Sequence, residues 1–153
     1  MTSNFVIEFS RKAGEIYDNN IEKGFHDQDK TAAEMVALAT TELSEAYEEI
    51  RKGRALNEVY FIAKMDQCWQ NVDGKNFCIN SGEEVSYADG MAILAKYPEA
   101  ASDLKPEGWG VELADCVIRL MDDGLESNID LANLIELKMR YNATREFMHG
   151  KTI

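Results

Sequence analysis

Apolar residues recur at helical spacing in four stretches of the chain. The first predicts a helix over roughly Ser3 to Glu22, with Phe5, Phe9, Ile16 and Tyr17 as core contacts. Gly24 and the polar run His26-Asp27-Gln28-Asp29-Lys30 break it. The second starts near Thr31, an N-cap with Glu34 at the capping-box spacing, and stops at Arg51-Lys52-Gly53. The third begins near Gly110, after a turn at Lys105-Pro106-Glu107-Gly108, and ends at Gly124. The fourth opens at Ser127-Asn128 or Asp130 and runs to about His149-Gly150. Residues 54–107 do not share this period. Within them GKNFCIN is open to a short strand pair and DGMAILAKYPEAASDL to a helix, while Trp69, Phe77 and Tyr87 make the region too apolar for a linker. The chain reads as one domain, 1–153, with an insertion at about 62–104 that packs somewhere, open to being a lid over the base, an oligomer contact or a decorative surface addition.

The polar positions inside these helices carry the chemistry. On the second helix, at about 100° per residue, Ala32, Val36, Ala39, Ala46, Tyr47 and Ile50 fall within about 60° of Leu43 and form the expected core stripe. Glu42, Glu45 and Glu49 cluster on the adjacent flank with Met35 and Leu38, while Glu34, Thr41 and Lys52 point to solvent. Like charges at this spacing repel by about 0.2–0.5 kcal/mol even when exposed. An acidic solvated face and a ligand site are both open on this helix alone.

The third helix narrows the choice. From Val111 to Met121 every residue is apolar except Glu112, Asp115 and Arg119, which predicts a buried helix with its polar residues in one line. A buried carboxylate must be protonated, paired or bound to a metal. An Asp115–Arg119 salt bridge with Glu112 at an edge is the purely structural alternative. On the fourth helix the stripe of Leu131, Leu134 and Ile135 becomes Lys138, Asn142, Arg145 and His149, a row of donors suited to an anion. A helix end leaving the core would look similar.

Composition sets the class. The chain has 153 residues, ample for a core without staples, and 16 Lys+Arg against 28 Asp+Glu give a net charge of −12. That argues against broad nucleic-acid binding, which needs a basic footprint. Cys68, Cys78 and Cys116 are odd in number and lack C-x-x-C spacing, so free thiols in a reducing cytoplasm are expected. No apolar run approaches the length of a membrane span, and the charged N-terminus does not read as a signal peptide. A soluble cytoplasmic protein is expected.

Two helices that each present a carboxylate pair at i, i+3, with a third presenting Lys, Asn and Arg, form one constellation. Oxygen ligands favour Mg²⁺ or Mn²⁺ over Zn²⁺, and the donors would then hold phosphate oxygens that the metal bridges. A di-iron bundle needs two Glu-x-x-His motifs; this chain has only Glu146-x-x-His149.

Glu42-Leu-Ser-Glu45 followed by Glu112-Leu-Ala-Asp115 resembles the Glu-x-x-Glu … Glu-x-x-Asp signature of MazG-like nucleoside triphosphate pyrophosphohydrolases. EIYDNNIEKGF, TELSEAYEEIRKGRALNEVYF, KPEGWGVELADCVIRLMD and IDLANLIELKMRYNATREFMHGK also look like segments of that family, so the likeness covers nearly all the chain outside the insertion. The resemblance implies an all-α helical bundle completed by dimerisation. It implies Mg²⁺-dependent hydrolysis of a nucleoside triphosphate to the monophosphate and pyrophosphate, in a homodimer or homotetramer.

Carried over position by position, Glu42, Glu45, Glu112 and Asp115 are the expected metal ligands, and Lys138, Asn142 and Arg145 the phosphate contacts. Glu45 or Glu49 is the expected base that orients or deprotonates water. His26, after Lys23-Gly24-Phe25, stands where relatives often carry tryptophan, and Phe25 and His26 are the candidate base contacts. The chain departs from compact members in the 66 residues between Glu45 and Glu112. A deoxynucleoside or non-canonical triphosphate is the expected substrate. A phosphoribosyl-ATP pyrophosphohydrolase and a non-catalytic dimeric helical interaction protein are the alternatives.

Overall fold

A computed structural model describes residues 3–146; His149 and the Gly150-Lys151 end of the expected donor row lie outside the described residues. The described residues form helices α1 (Asn4–Glu22), α2 (Ala32–Arg51), α3 (Tyr87–Lys96), α4 (Trp109–Glu126) and α5 (Leu131–Ala143). Strands β1 (Tyr60–Ala63), β2 (Gln67–Val72), β3 (Lys75–Ile79), β4 (Glu84–Ser86) and β5 (Leu104–Glu107) and a 3-10 turn at Pro98–Ser102 fill the stretch between α2 and α4. Two compact units result. Residues up to Ala39 and from Val117 form one, and Thr40–Cys116 the other, with the boundaries inside α2 and α4.

In the first unit the helix limits follow the caps. The Ser3 hydroxyl accepts from the Val6 amide at 3.2 Å and also bonds Glu136 of α5. At the other end of α1, Gly24 takes φ +77° and the Phe25 amide reaches back to the Asn20 carbonyl at 3.0 Å, a Schellman closure. Thr31 and Glu34 make the capping box of α2, and Asp130 caps α5 through the Asn133 amide. Val6, Ala13, Ala39, Met121 and Ala132 are the buried apolar residues of this unit's helices.

The second unit overturns the all-α expectation. A three-stranded antiparallel sheet of order β4-β1-β5 and the hairpin β2-β3 make it mixed α/β. Its core is Phe61, Trp69, Val72, Val85, Ile93, Ala100 and Leu104, drawn entirely from the stretch between α2 and α4. That stretch has its own apolar centre, so it is a folded layer rather than a decoration on helices. β1 is central, with Tyr60 opposite Ser86 on one side and Glu107 on the other. The turn expected at Lys105–Gly108 is therefore strand β5, entering α4 directly.

Two further expectations are corrected. Cys68 and Cys78 face each other across the β2-β3 hairpin, Cα atoms 4.1 Å apart, and form a disulfide; only Cys116 is a free thiol. The cysteine count thus no longer argues for a reducing compartment. On α2 the buried residues are Ala39, Glu42, Ala46 and Glu49, while Val36, Leu43, Tyr47 and Ile50 of the expected core stripe are exposed. Likewise α4 is not buried all round: Glu112, Cys116, Met121 and Asp122 are covered, but Val117, Ile118 and Leu120 are not. Among the described residues, no helix is long and apolar enough to cross a membrane.

Candidate metal centre

The site is built in the second unit from the last turns of α2 and the first turn of α4. Glu42 and Glu45 lie at i, i+3 and so share a face of α2. Glu112 is placed by the chain entry at Gly108. That residue takes φ +129°, and a Cβ there would stand 2.4 Å from the Glu58 carbonyl oxygen, which only glycine avoids. The Gly108 carbonyl then accepts the Glu112 amide at 3.1 Å, starting the helix at that point. One carboxylate oxygen from each of Glu42, Glu45 and Glu112 lies within 4.8 Å of the others.

Glu42 and Glu112 are 5% and 2% exposed, and Glu45 is open to solvent. Oxygens on opposite sides of a common Mg²⁺ are about 4.2 Å apart. Adjacent oxygens stand about 3.0 Å apart, so the three carboxylates would draw closer to share one ion; their all-oxygen, partly buried chemistry fits a hard cation. Asp115, expected as the fourth ligand, is half-buried one turn further along α4 and outside this grouping.

β5 brings two groups that the sequence reading missed. Lys105 and Glu107 alternate onto the same side of the strand, with Nζ 2.6 Å from a Glu107 oxygen. Burial, then the hydrogen-bonded Glu107 carboxyl and, more weakly, Glu45, push the Glu112 carboxyl up to about 7 against the opposing pull of Lys105. Lys105 is itself raised, first by Glu107 and then by the charges of Glu112 and Glu45, against the effect of burial. Read as part of a turn, this Lys-x-Glu could not be assigned a face. Strand alternation is the signal that places it.

Glu49, one of the two candidate bases, is 2% exposed and has both oxygens engaged. The Tyr60 hydroxyl donates to Oε2 at 3.0 Å, and Lys52 Nζ lies 2.5 Å from Oε1. Tyr60 is another residue the sequence did not single out. Burial first, then the Glu49 hydrogen bond, raise its phenol. Arg54 lies 4.2 Å from its ring centroid and pairs with Glu58 and Glu84.

The remaining candidates belong to the first unit. Lys138 and Asn142 are exposed on α5, and Arg145 follows its C-cap, Thr144. Lys138 Nζ and Arg145 Cζ stand 5.0 and 5.9 Å from the Tyr141 ring centroid, two cations on one aromatic. Phe25 is 63% exposed, whereas His26 is held by the carboxylates of Asp122 and Glu126. Comparison of the chain with family models, with curated proteins and with solved structures finds no match.

Proposed function

We propose that this protein is a divalent-metal-dependent, MazG-like nucleoside triphosphate pyrophosphohydrolase releasing a nucleoside monophosphate and pyrophosphate. The observation that carries the reading is the convergence of Glu42, Glu45 and Glu112 from two helices onto one small space. Those three carboxylates would hold Mg²⁺ or Mn²⁺, with Asp115 proposed as a fourth ligand on the resemblance. A cation bound there supplies charge neutralisation for the phosphates and a more acidic water. Glu45, exposed beside the buried pair, has the access a general base needs. Glu49, whose two oxygens are held by Tyr60 and Lys52, is better suited to bracing α2.

Lys138, Asn142 and Arg145 as phosphate contacts, and Phe25 as the aromatic against the base, rest on the resemblance together with their exposure. A deoxynucleoside or non-canonical triphosphate is the proposed substrate, which implies a cytoplasmic protein. Leu43, Tyr47 and Ile50, exposed along one stripe of α2, support a homodimer or homotetramer. The same stripe favours a second reading, a non-catalytic interaction protein.

The test is incubation with Mg²⁺ and a panel of NTPs, dNTPs and phosphoribosyl-ATP, quantifying pyrophosphate against orthophosphate. Pyrophosphate release from dNTPs that EDTA and Glu42→Gln abolish is expected. Turnover of phosphoribosyl-ATP alone would transfer the activity to that substrate. No turnover, together with no metal-dependent rise in Tm, would leave the interaction protein.

A further inference from the structure

The turn after α1 carries a charge cluster that the proposed reaction does not use. The His26 side chain is 10% exposed, with Nε2 3.0 Å from Asp122 Oδ1 and Nδ1 3.1 Å from Glu126 Oε1. Asp122 and Glu126 are one turn apart on α4, so they approach the two edges of a single imidazole. The Tyr17 ring of α1 lies against its face, centroids 4.6 Å apart. Lys30 completes the cluster, 3.3 Å from the other Glu126 oxygen and 3.6 Å from Asp123.

A neutral imidazole carries one N–H, and its bare nitrogen would face a carboxylate lone pair to lone pair. Only the imidazolium turns a positive edge to both carboxylates. The contact with Asp122 is a hydrogen bond, whereas that with Glu126 is misaligned for one and acts as an ion pair.

We propose that His26 is a proton-dependent latch. Protonated, it ties the turn between α1 and α2 to the last turns of α4; deprotonation releases that turn, which carries the exposed Phe25. The latch does not depend on what the carboxylates of α2 bind.

The titration supports the direction. Burial alone lowers the pKa of His26, but Glu126 and Asp122 outweigh it and hold the value above the ordinary 6.5. Glu126 is lowered, since His26 and Lys30 outweigh the opposing effect of burial, and Asp123 is raised by burial ahead of the pull of Lys30. A histidine raised in the folded state stabilises fully below its unfolded value. That contribution disappears as pH rises through the folded value.

NMR titration of the imidazole signals on the full chain from pH 5 to pH 9.5 decides the matter, with the chain's other histidine, His149, identified by its own substitution to Gln. His26 is expected to titrate above 6.5 in the wild type and at a lower pH in Glu126→Gln. Tm is expected to fall more from pH 6.5 to pH 9 in the wild type than in His26→Gln. A His26 midpoint at or below 6.5, or parallel Tm profiles, would overturn the latch.

Discussion

Glu49 and Glu112 are both buried carboxylates, and the fold treats them in opposite ways. Glu49 receives a phenol and an ammonium, one on each oxygen, so its charge is compensated inside the protein. Tyr60→Phe keeps the ring under Arg54 but leaves one Glu49 oxygen without its donor. Urea unfolding should show a loss of about 1.5–3 kcal/mol, the range for a hydrogen bond to a charged group; a midpoint equal to wild type would mean that water replaces the phenol. Glu112 instead meets Glu107, Glu45 and Glu42, a gathering of like charge that Lys105 only partly offsets. Glu112→Gln should therefore leave the metal-free protein as stable as the wild type or more stable by about 1–2 kcal/mol, as removal of poorly compensated buried charge does. The same variant should lose the Mg²⁺-dependent rise in Tm and the release of pyrophosphate. Retention of the Mg²⁺ shift would place the cation elsewhere.

At the scale of elements, helices were legible because their ends are written locally. Ser3, the Thr31–Glu34 pair and Asp130 cap where the sequence allowed, and Gly24 closes α1. The strands were harder because each spans only three to six residues and several lack clean alternation. One signal was nevertheless present. Asp73-Gly74 between Trp69-x-x-Val72 and Phe77-x-Ile79 is a hairpin turn, and both residues adopt positive φ. Reading it would have given the hairpin but set Cys78 opposite Trp69; the irregularity between Trp69 and Val72 shifts the register by one and brings Cys68 opposite Cys78. The face of a carboxylate pair was legible from helical spacing, but its convergence with Glu112 needed β5 and Gly108 to fix where α4 begins. The packing of α3 on the sheet depends on a similar close approach. A Cβ at Gly90 would lie 2.2 Å from the Phe61 ring, inside the core of the second unit. Gly90→Ala in a helix interior would ordinarily stabilise by about 1 kcal/mol. Here overpacking should reverse the sign, a loss of about 1–3 kcal/mol by thermal unfolding. A gain would show that Phe61 can move aside.

For the molecule as a whole, the instructive failure is the α2 stripe. A row of apolar residues states which face avoids water, not which surface covers it. Leu43, Tyr47 and Ile50 remain exposed in the second unit, and Leu134, Leu137 and Tyr141 remain exposed on α5 in the first. Burying such side chains between copies is favourable by about 1.5–3 kcal/mol for each one fully covered. Opposing this is the net charge of −12 on every copy, a repulsion that added salt screens over about 10 Å at 0.1 M. The two effects have opposite signatures in sedimentation equilibrium. Association should strengthen as NaCl rises from low concentration to about 0.15 M, because charge opposes it and apolar contact drives it. Leu43→Lys with Tyr47→Lys should give monomer at every salt concentration, although the added charges reduce the net repulsion between copies. A double variant that associates as the wild type does would mean that other surfaces join the copies and that the stripe on α2 stays in water.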